Sequence, residues 1–477
     1  MKTFSIKTLG CKVNQYESQQ IRELLEQLGL NAVGTAKEKP DLVVINTCCV
    51  THTASAKSRQ NIRKAQKLSA GAIIVVCGCL PSLRIGELHN PNENVYLIGG
   101  HESLAPMLSL IATGLNAVSG SHSFHSDPHK LIKPKIAEKI KQKNISAEQS
   151  TLPPLTSFRG HTRAFLKVQD GCDGYCSYCI IPRSRPFLAS KPAEAALCEA
   201  QALVKAGHKE IVITGICLGA YGQKSVRRRI WDRPENDSLA ELLEKIARVP
   251  GLRRIRLSSL GPKDVTSRLL DVFCENRNLM PHLHLSLQSG SNRVLKKMCR
   301  QYTADEFRRT VEAIRNRLDR PAITTDIIVG FPGETEADFE QTLELARDVG
   351  FAKMHVFSFS PRKGTAAAAM QGVVDKRVTK ERSRVLRQLD KELGWKFREQ
   401  FVGETAVVLV ESDNGKISGR SERYFTVYLE GAARSSREND LVTVRLTRNS
   451  MNGMAGHTST QEPYSLACQT PALPTDL

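Results

Sequence analysis

The chain has 477 residues, 40% of them hydrophobic and only 5% aromatic, so it can bury several mainly aliphatic cores, and its length suggests roughly two to four domains. Its formal net charge is +19, which favours a polyanionic partner, with nucleic acid ahead of an anionic membrane surface and a merely basic protein as the plain alternative. No apolar run approaches the ~20 residues of a membrane span, and Met1 to Asn14 lacks a signal-peptide core, so a cytoplasmic location is expected.

Residues 1–119 alternate between strand and helix signals. Phe4 to Leu9, Leu42 to Ile45, Ala72 to Val76 and Val95 to Ile98 are apolar runs of strand length. Ser18 to Leu28, stopped by Gly29, and Thr53 to Leu68 have helical spacing. Strands alternating with helices imply a doubly wound parallel sheet and an α/β class. Residues 120–155 contain SHSFHSDPHK, a Lys-rich stretch and Pro153–Pro154, the composition of a linker.

A second βα series fills residues 156–400. Its expected strands are Ala164–Gln169, Glu210–Thr214, Arg254–Ser258, His282–Leu287, Ile323–Val329 and Met354–Phe359. Six βα units suggest a partial or complete parallel barrel. Lys376 to Gln400 reads as a charged helix. Residues 401–457 then change to short β segments at Ala406–Glu411, Phe425–Glu430 and Leu441–Leu446, which suggests a small all-β domain. Residues 458–477 read as a disordered tail.

Thirteen cysteines in a chain expected to stay in a reducing compartment are ligands, catalysts or core residues before they are disulfides. DGCDGYCSYCIIP spaces Cys172, Cys176 and Cys179 as C-x3-C-x2-C. Three thiolates on one loop can hold three irons of a [4Fe–4S] cube and leave the fourth open to a small chelating ligand. A zinc loop is the competing reading, but structural zinc sites want four ligands and no partner C-x2-C follows.

In the N-terminal region, Cys11 (TLGCKVNQYES), Cys48 (INTCCVTHTASAKS) and Cys79 (VCGCLP) each follow the end of an expected strand. In a parallel sheet those ends share one edge, so the three thiols can converge. Spacing alone leaves small core cysteines as an alternative.

These motifs resemble the radical S-adenosylmethionine (SAM) methylthiotransferase family. The resemblance rests on the two cysteine triads, on ITGICLGAYG, RLSSL, HLSLQSGS and DIIVGFPGET at the carboxyl ends of successive barrel strands, and on NTC-x-VT-x-x-A and MHVFSFSPRKGT. NTC-x-VT-x-x-A, TGICLGAYG, RLSSL and MHVFSFSPRKGT are similar to the branch that acts on N6-threonylcarbamoyladenosine at position 37 of tRNA. The resemblance implies a radical SAM partial (β/α)6 core, a TRAM-like RNA-binding C-terminal domain, SAM and two [4Fe–4S] clusters. Cys11, Cys48 and Cys79 would ligate one cluster, with Cys49 and Cys77 as neighbours. Cys172, Cys176 and Cys179 would ligate the cluster that holds SAM. The product would be the 2-methylthio base, its methyl group supplied by a second SAM. The expected partners are tRNA at its anticodon arm, an electron donor and a sulfur source. Gly215, Gln288, Ser289, Arg300, Gly330 and Gly333 are the candidate SAM rim, although turn geometry alone accounts for the two last glycines. One departure is IPRSRPFLASKP, where Pro186 stands in place of a family glycine while Arg185 aligns.

From Leu42 to Gly86 there is no acidic residue, yet Lys57, Arg59, Arg63, Lys64, Lys67 and Arg84 occur there. The first five are candidate RNA contacts; a solvated helix face is the alternative. The C-terminal segment, with equal numbers of basic and acidic residues over 401–449, is not the source of the net charge. Tyr424 and Phe425 are candidate base-stacking residues there, with core packing as the alternative. Three rivals remain: the same chemistry on N6-isopentenyladenosine or on a ribosomal-protein aspartate, a non-catalytic iron–sulfur RNA-binding protein, and a zinc scaffold.

Overall fold

The computed structural model describes residues 1–33, 38–69, 71–83, 94–99, 103–112, 151–233, 235–413, 416–431 and 436–459. The expected linker up to residue 150, Arg84, and the tail from residue 460 lie outside them. Among the described residues, no helix is long and apolar enough to cross a membrane. The chain divides into two compact units. One holds residues 1–159, 171–173 and 179–188, the other residues 160–170, 174–178 and 189–477.

The first unit is built on a five-stranded sheet, all of whose pairs are parallel. Its strands are β1 (Thr3–Thr8), β2 (Asn31–Ala32), β3 (Leu42–Thr47), β4 (Ile73–Gly78) and β5 (Val95–Leu97), in the order β2-β1-β3-β4-β5. Every residue of the central β3, LVVINT, is buried, as a strand covered on both faces must be. Helices α1 (Lys12–Gln27), α2 (His52–Leu68), α3 (Cys79–Ser82) and α4 (Leu104–Ala112) follow β1, β3, β4 and β5. Ile21, Leu24 and Leu25 of α1 pack with Phe4, Leu42, Val44 and Leu108 in one core. The α2 start is set by Thr51, whose hydroxyl accepts the Ala54 amide.

The second unit carries the predicted βα series. β6 (Ala164–Asp170), β8 (Glu210–Gly215) and β9 (Arg254–Leu257) pair in parallel, with the two-residue β7 (Ala189–Ser190) antiparallel on the β6 edge. β10 (Ser259–Leu260), β11 (His282–Leu285), β12 (Ala322–Val329) and β13 (Lys353–Ser358) form a second parallel sheet. Only Ser258 separates β9 from β10, so one chain segment passes from the first sheet into the second. Six βα strands in an open array are the partial barrel expected from the sequence.

The C-terminal segment closes into a barrel of five strands, β14 (Thr405–Asp413), β15 (Lys416–Arg420), β16 (Thr426–Glu430), β17 (Leu441–Ser450) and β18 (Gly453–Thr458), ordered β14-β15-β16-β18-β17. Three of the five coincide with predicted segments. β15 and β18 were not legible, because KISGR and GMAGHT carry too few β-branched or aromatic side chains to declare a strand.

The small barrel is held against the βα strands by a buried charge network. Glu210, with no solvent exposure, lies 2.9 Å from Arg256, 3.5 Å from Arg254 and 3.9 Å from Arg163. Arg256 donates to the carbonyls of Ser421 (2.6 Å) and Glu422 (2.8 Å), and Arg254 to those of Arg420 (3.0 Å) and Val407. Arg163 reaches Glu411 and the Tyr424 hydroxyl, each at 2.8 Å. Burial alone would raise the Glu210 carboxyl, but the three guanidinium groups hold it below the ordinary value.

Replacing Glu210 by Gln leaves buried guanidinium charge uncompensated and should cost about 3–5 kcal/mol of stability. A depressed folded-state pKa makes the carboxylate's contribution full above its unfolded pKa and lost as pH falls through the folded value. Urea unfolding over a pH series should therefore show a lower midpoint for Glu210→Gln at neutral pH and a weaker acid dependence than the parent. Equal midpoints would show that the network does not carry the interface.

Candidate functional site

In the first unit, the chain reverses from strand to helix at each of three sheet-edge positions, and each reversal carries a cysteine. Cys11 is the residue before α1, Cys48 follows β3, and Cys79 opens α3. Gly10 (φ 110°) lets the chain pass so close to Cys48 that an added Cβ would lie 2.7 Å from the Cys48 Cβ and 3.1 Å from its Sγ. Asn14 ties the loops together by donating to the carbonyls of Leu9 (2.8 Å) and Thr47 (2.9 Å). The Thr47 hydroxyl donates to the Cys77 carbonyl (2.6 Å) and accepts the Leu80 amide (3.3 Å), while Ser58 bridges both backbone groups of Cys48.

The three thiols feel one another electrostatically. Burial, with the negative charge of Cys79 and Cys11 adding to it, pushes Cys48 up to about 11. Cys11 is exposed as a residue, yet desolvation around its thiol raises it. Cys79 is the exception: a hydrogen bond from the Cys49 thiol and the nearby Arg185 guanidinium outweigh its burial and lower it. Arg185 is itself fixed by a two-point ion pair with Glu17, both contacts 2.8 Å, both side chains buried. One thiolate is thus favoured beside a guanidinium, in the setting that activates cysteine as a metal ligand.

The Cys172–Cys179 loop is anchored residue by residue. In the first unit, Gly171 (φ 75°) packs directly on the Phe187 backbone, where a side chain would collide, and the Cys172 amide donates to the Arg185 carbonyl (2.9 Å). In the second unit, Ser177 bonds the carbonyls of Met298 (3.1 Å) and Lys297 (2.8 Å) and accepts the Ala367 amide (2.8 Å). Arg300 points its Nη1 at the Cys176 Sγ (3.2 Å) and the Tyr178 hydroxyl (3.4 Å), while its Nε donates to Tyr302 (3.0 Å). Of the candidate rim residues, Arg300 is the one brought into contact with a loop cysteine.

The other rim candidates shape the strand ends. Gly215 lies against Gln169, whose amide oxygen accepts the Cys217 amide (2.7 Å). Gln288, at φ 71°, donates to the Asp326 carbonyl (2.8 Å) and accepts the Ile328 amide (2.9 Å). Ser289 is buried, with its hydroxyl accepting the Ser291 amide (3.2 Å). Gly330 and Gly333, both at φ 75°, sit in a turn closed by Glu334 and by the Gly372 carbonyl.

Set beside known proteins, residues 166–346 match the radical SAM superfamily and residues 3–100 match an uncharacterised family, UPF0004. The chain is 37% identical over 458 residues, 95% of its length and 97% of the relative's, to a threonylcarbamoyladenosine tRNA methylthiotransferase MtaB of Chlamydia pneumoniae. It is 38% identical over 429 residues, 89% of its length and 90% of the relative's, to the protein of that name in Thermotoga maritima. The chain belongs to the MtaB-type radical SAM methylthiotransferases. A solved structure of the radical SAM methyltransferase TsrM from Kitasatospora setae shares the fold at TM-score 0.54 and 14% identity, covering 87% of this chain and 79% of that one.

The methylthiotransferase presents its basic residues unequally. On α2, Lys57, Arg63, Lys64 and Lys67 are exposed and Arg59 is half-buried, while Ser55, Ser58 and Ile62 face the protein. Tyr424 and Phe425 are engaged within the chain. His282 stacks on the Tyr424 ring at 4.6 Å, and the guanidinium groups of Arg163, Arg256 and Arg420 lie within 5.2 Å of it. Phe425 packs on Phe401 at 5.7 Å in the small barrel's core. Both rings stay partly exposed, and these packing partners occupy part of each.

Sequence reading passed over three groups. Arg185 was noted only as aligned, and its pairing with Glu17 spans 168 positions. Tyr302 had no motif of its own. His284 carried no motif either; its Nδ1 meets Thr324 (3.0 Å), and its Nε2 lies 3.4 Å from Asp326, with His355 on the strand beyond. Period-2 alternation around DIIV and MHVF was the available signal for Asp326 and His355.

Gly10→Ala tests the loop convergence. The added methyl must displace Cys48 in a backbone conformation that costs an alanine about 1–3 kcal/mol. A lower unfolding midpoint and faster alkylation of Cys48, followed by peptide mass spectrometry, are expected; an unchanged Cys48 alkylation rate would show that the close approach is absent.

Proposed function

We propose that this enzyme converts N6-threonylcarbamoyladenosine at position 37 of tRNA to its 2-methylthio derivative. The reading is carried by a likeness to enzymes of that name along nearly the whole chain, and it agrees with the net charge of +19. The reducing, thiol-preserving location it needs is the cytoplasm.

The cofactors are SAM and [4Fe–4S] clusters, and the donor sets fit them. Cys11, Cys48 and Cys79 offer three mutually interacting thiols beside Arg185, and Cys172, Cys176 and Cys179 offer three on one loop. When bound, these groups supply the one-electron chemistry, sulfur and methyl group that an adenine C2–H bond, neither acidic nor strongly electrophilic, requires. The chain supplies position and charge balance. Arg300 places positive charge on Cys176, and Arg185, held by Glu17, does so beside Cys79. The strand-borne His284, Asp326 and His355 offer hydrogen-bonding groups to the substrate. The α2 face of Lys57, Arg63, Lys64 and Lys67, joined by Arg59, gives the RNA backbone a phosphate-binding surface. The electron donor and the sulfur source are separate molecules.

Two experiments test this reading. Alanine at Cys11, Cys48 and Cys79, and separately at Cys172, Cys176 and Cys179, should each leave roughly half the parent's iron and sulfide, as separate cubes require. The first variant should still cleave SAM on reduction without making the methylthio nucleoside; the second should do neither. Mass spectrometry of tRNA nucleosides reads the product, and a methylthio derivative of isopentenyladenosine instead would overturn the assigned substrate. Reversing Lys57, Arg63 and Lys64 to Glu should weaken tRNA binding and flatten its salt dependence by roughly one log–log unit per lost phosphate contact. An unchanged affinity and slope would leave α2 a solvated face.

A further inference from the structure

The loop after β8 holds a charge excess that the proposed function does not use. Residues 222–233, GQKSVRRRIWDR, contain five basic side chains and one acidic. Such a run is usually solvated and unfixed, but here it is built in. Arg228 pairs with Asp264 and lies 4.4 Å over the Trp231 ring. The Arg228 amide donates to the Gln301 side chain (3.0 Å), which returns a bond to the Val226 carbonyl (3.1 Å). The Trp231 indole closes the turn on the Ser225 carbonyl (2.8 Å).

This anchoring sets the two flanking arginines on one aromatic ring. The guanidinium carbons of Arg227 and Arg229 lie 5.8 and 5.6 Å from the centroid of Tyr175. Tyr175 is 40% exposed and Ile230 61% exposed. Arg229 makes no ion pair among the described residues. Tyr175 is the residue before Cys176, and Gln301, which fixes the arginine loop, follows the Arg300 that touches Cys176.

We propose that Tyr175, Arg227 and Arg229 form an RNA-docking platform that receives the nucleotides flanking the modified base. Alternating guanidinium and aromatic surface suits a single-stranded loop, with phosphates on the cations and a base on the ring. The inference rests on the proposed reaction, because a base modified at this loop must bring its neighbouring phosphates to the loop as well. A redox partner has no such obligation, since electrons reach a cluster from any nearby face. Fixing the arginines in advance lowers the ordering cost of binding.

The test uses the full cluster-loaded chain and a tRNA carrying N6-threonylcarbamoyladenosine, titrated over a salt series. Arg227→Glu with Arg229→Glu should weaken binding and reduce the log–log salt slope by about two units. Tyr175→Ala should weaken binding roughly tenfold, while Tyr175→Phe should bind as the parent does. Arg229→Glu alone, with a slope reduced by about one unit, serves if the double variant loses iron. Unchanged affinity and slope in the arginine variants would overturn the proposal. So would unchanged tRNA binding together with slower reduction by an acidic flavin-carrying redox protein, which would assign the surface to that class of partner. Product analysis of the unaltered enzyme tests the reaction itself, so a failed platform and a failed reaction give different results.

Discussion

The candidate site of each unit depends on strands that run parallel. A parallel strand must be followed by a crossover, so the chain leaves every strand at the same edge and turns into a helix or loop there. In the first unit that rule puts Cys11, Cys48 and Cys79, separated by 37 and 31 positions, on one sheet edge. In the second unit it puts Gly215, Gln288 and Gly330 at or just past the ends of β8, β11 and β12. An antiparallel arrangement of the same segments would send alternate ends to opposite edges and scatter the thiols.

Negative charge is the second constraint. Thiolates that are to hold iron must be kept charged in partly desolvated surroundings, and two of the candidate cysteines have beside them arginines that are themselves pinned. Arg185 is held by Glu17 and Arg300 by Tyr302 and Tyr178. A guanidinium fixed in this way spends little conformational entropy when a cluster forms beside it. The same device recurs away from any cysteine, where Glu210 gathers Arg163, Arg254 and Arg256 and those arginines grip the small barrel's backbone. Tyr424 lies in that joint, and its stacking on His282 turns one side of the ring toward the protein.

The rim residues show how a motif can mix structural and chemical reasons. Gly330 and Gly333 are glycines because the backbone there has φ 75°, and at Gly330 a Cβ would also meet the Thr379 side chain. Ser289 is turned into the packing between the strand end and the helix beginning at Glu336. Of the residues singled out from this rim, only Arg300 reaches a candidate ligand, because the turn after Asn292–Lys297 brings it back over the cysteine loop.

By itself the sequence determined the alternation of strands and helices, the parallel class and the close-spaced triad of Cys172, Cys176 and Cys179, while the partial barrel and the triad of Cys11, Cys48 and Cys79 needed the family resemblance as well. These are local signals: period, run length and short spacings that survive without knowledge of neighbours. It also allowed the basic face of α2, because a helix of known phase places Lys57 and Lys64 without reference to the rest of the fold. Only the tertiary structure decided which arginine meets which acid or thiol, since Arg185 with Glu17 and Arg300 with Cys176 join residues more than a hundred positions apart. It also decided that Tyr424 is a joint and that Tyr175 lies under two arginines. An aromatic side chain looks the same in sequence whether it awaits a base or packs on a neighbour, and the difference is a matter of which surfaces the fold has already covered.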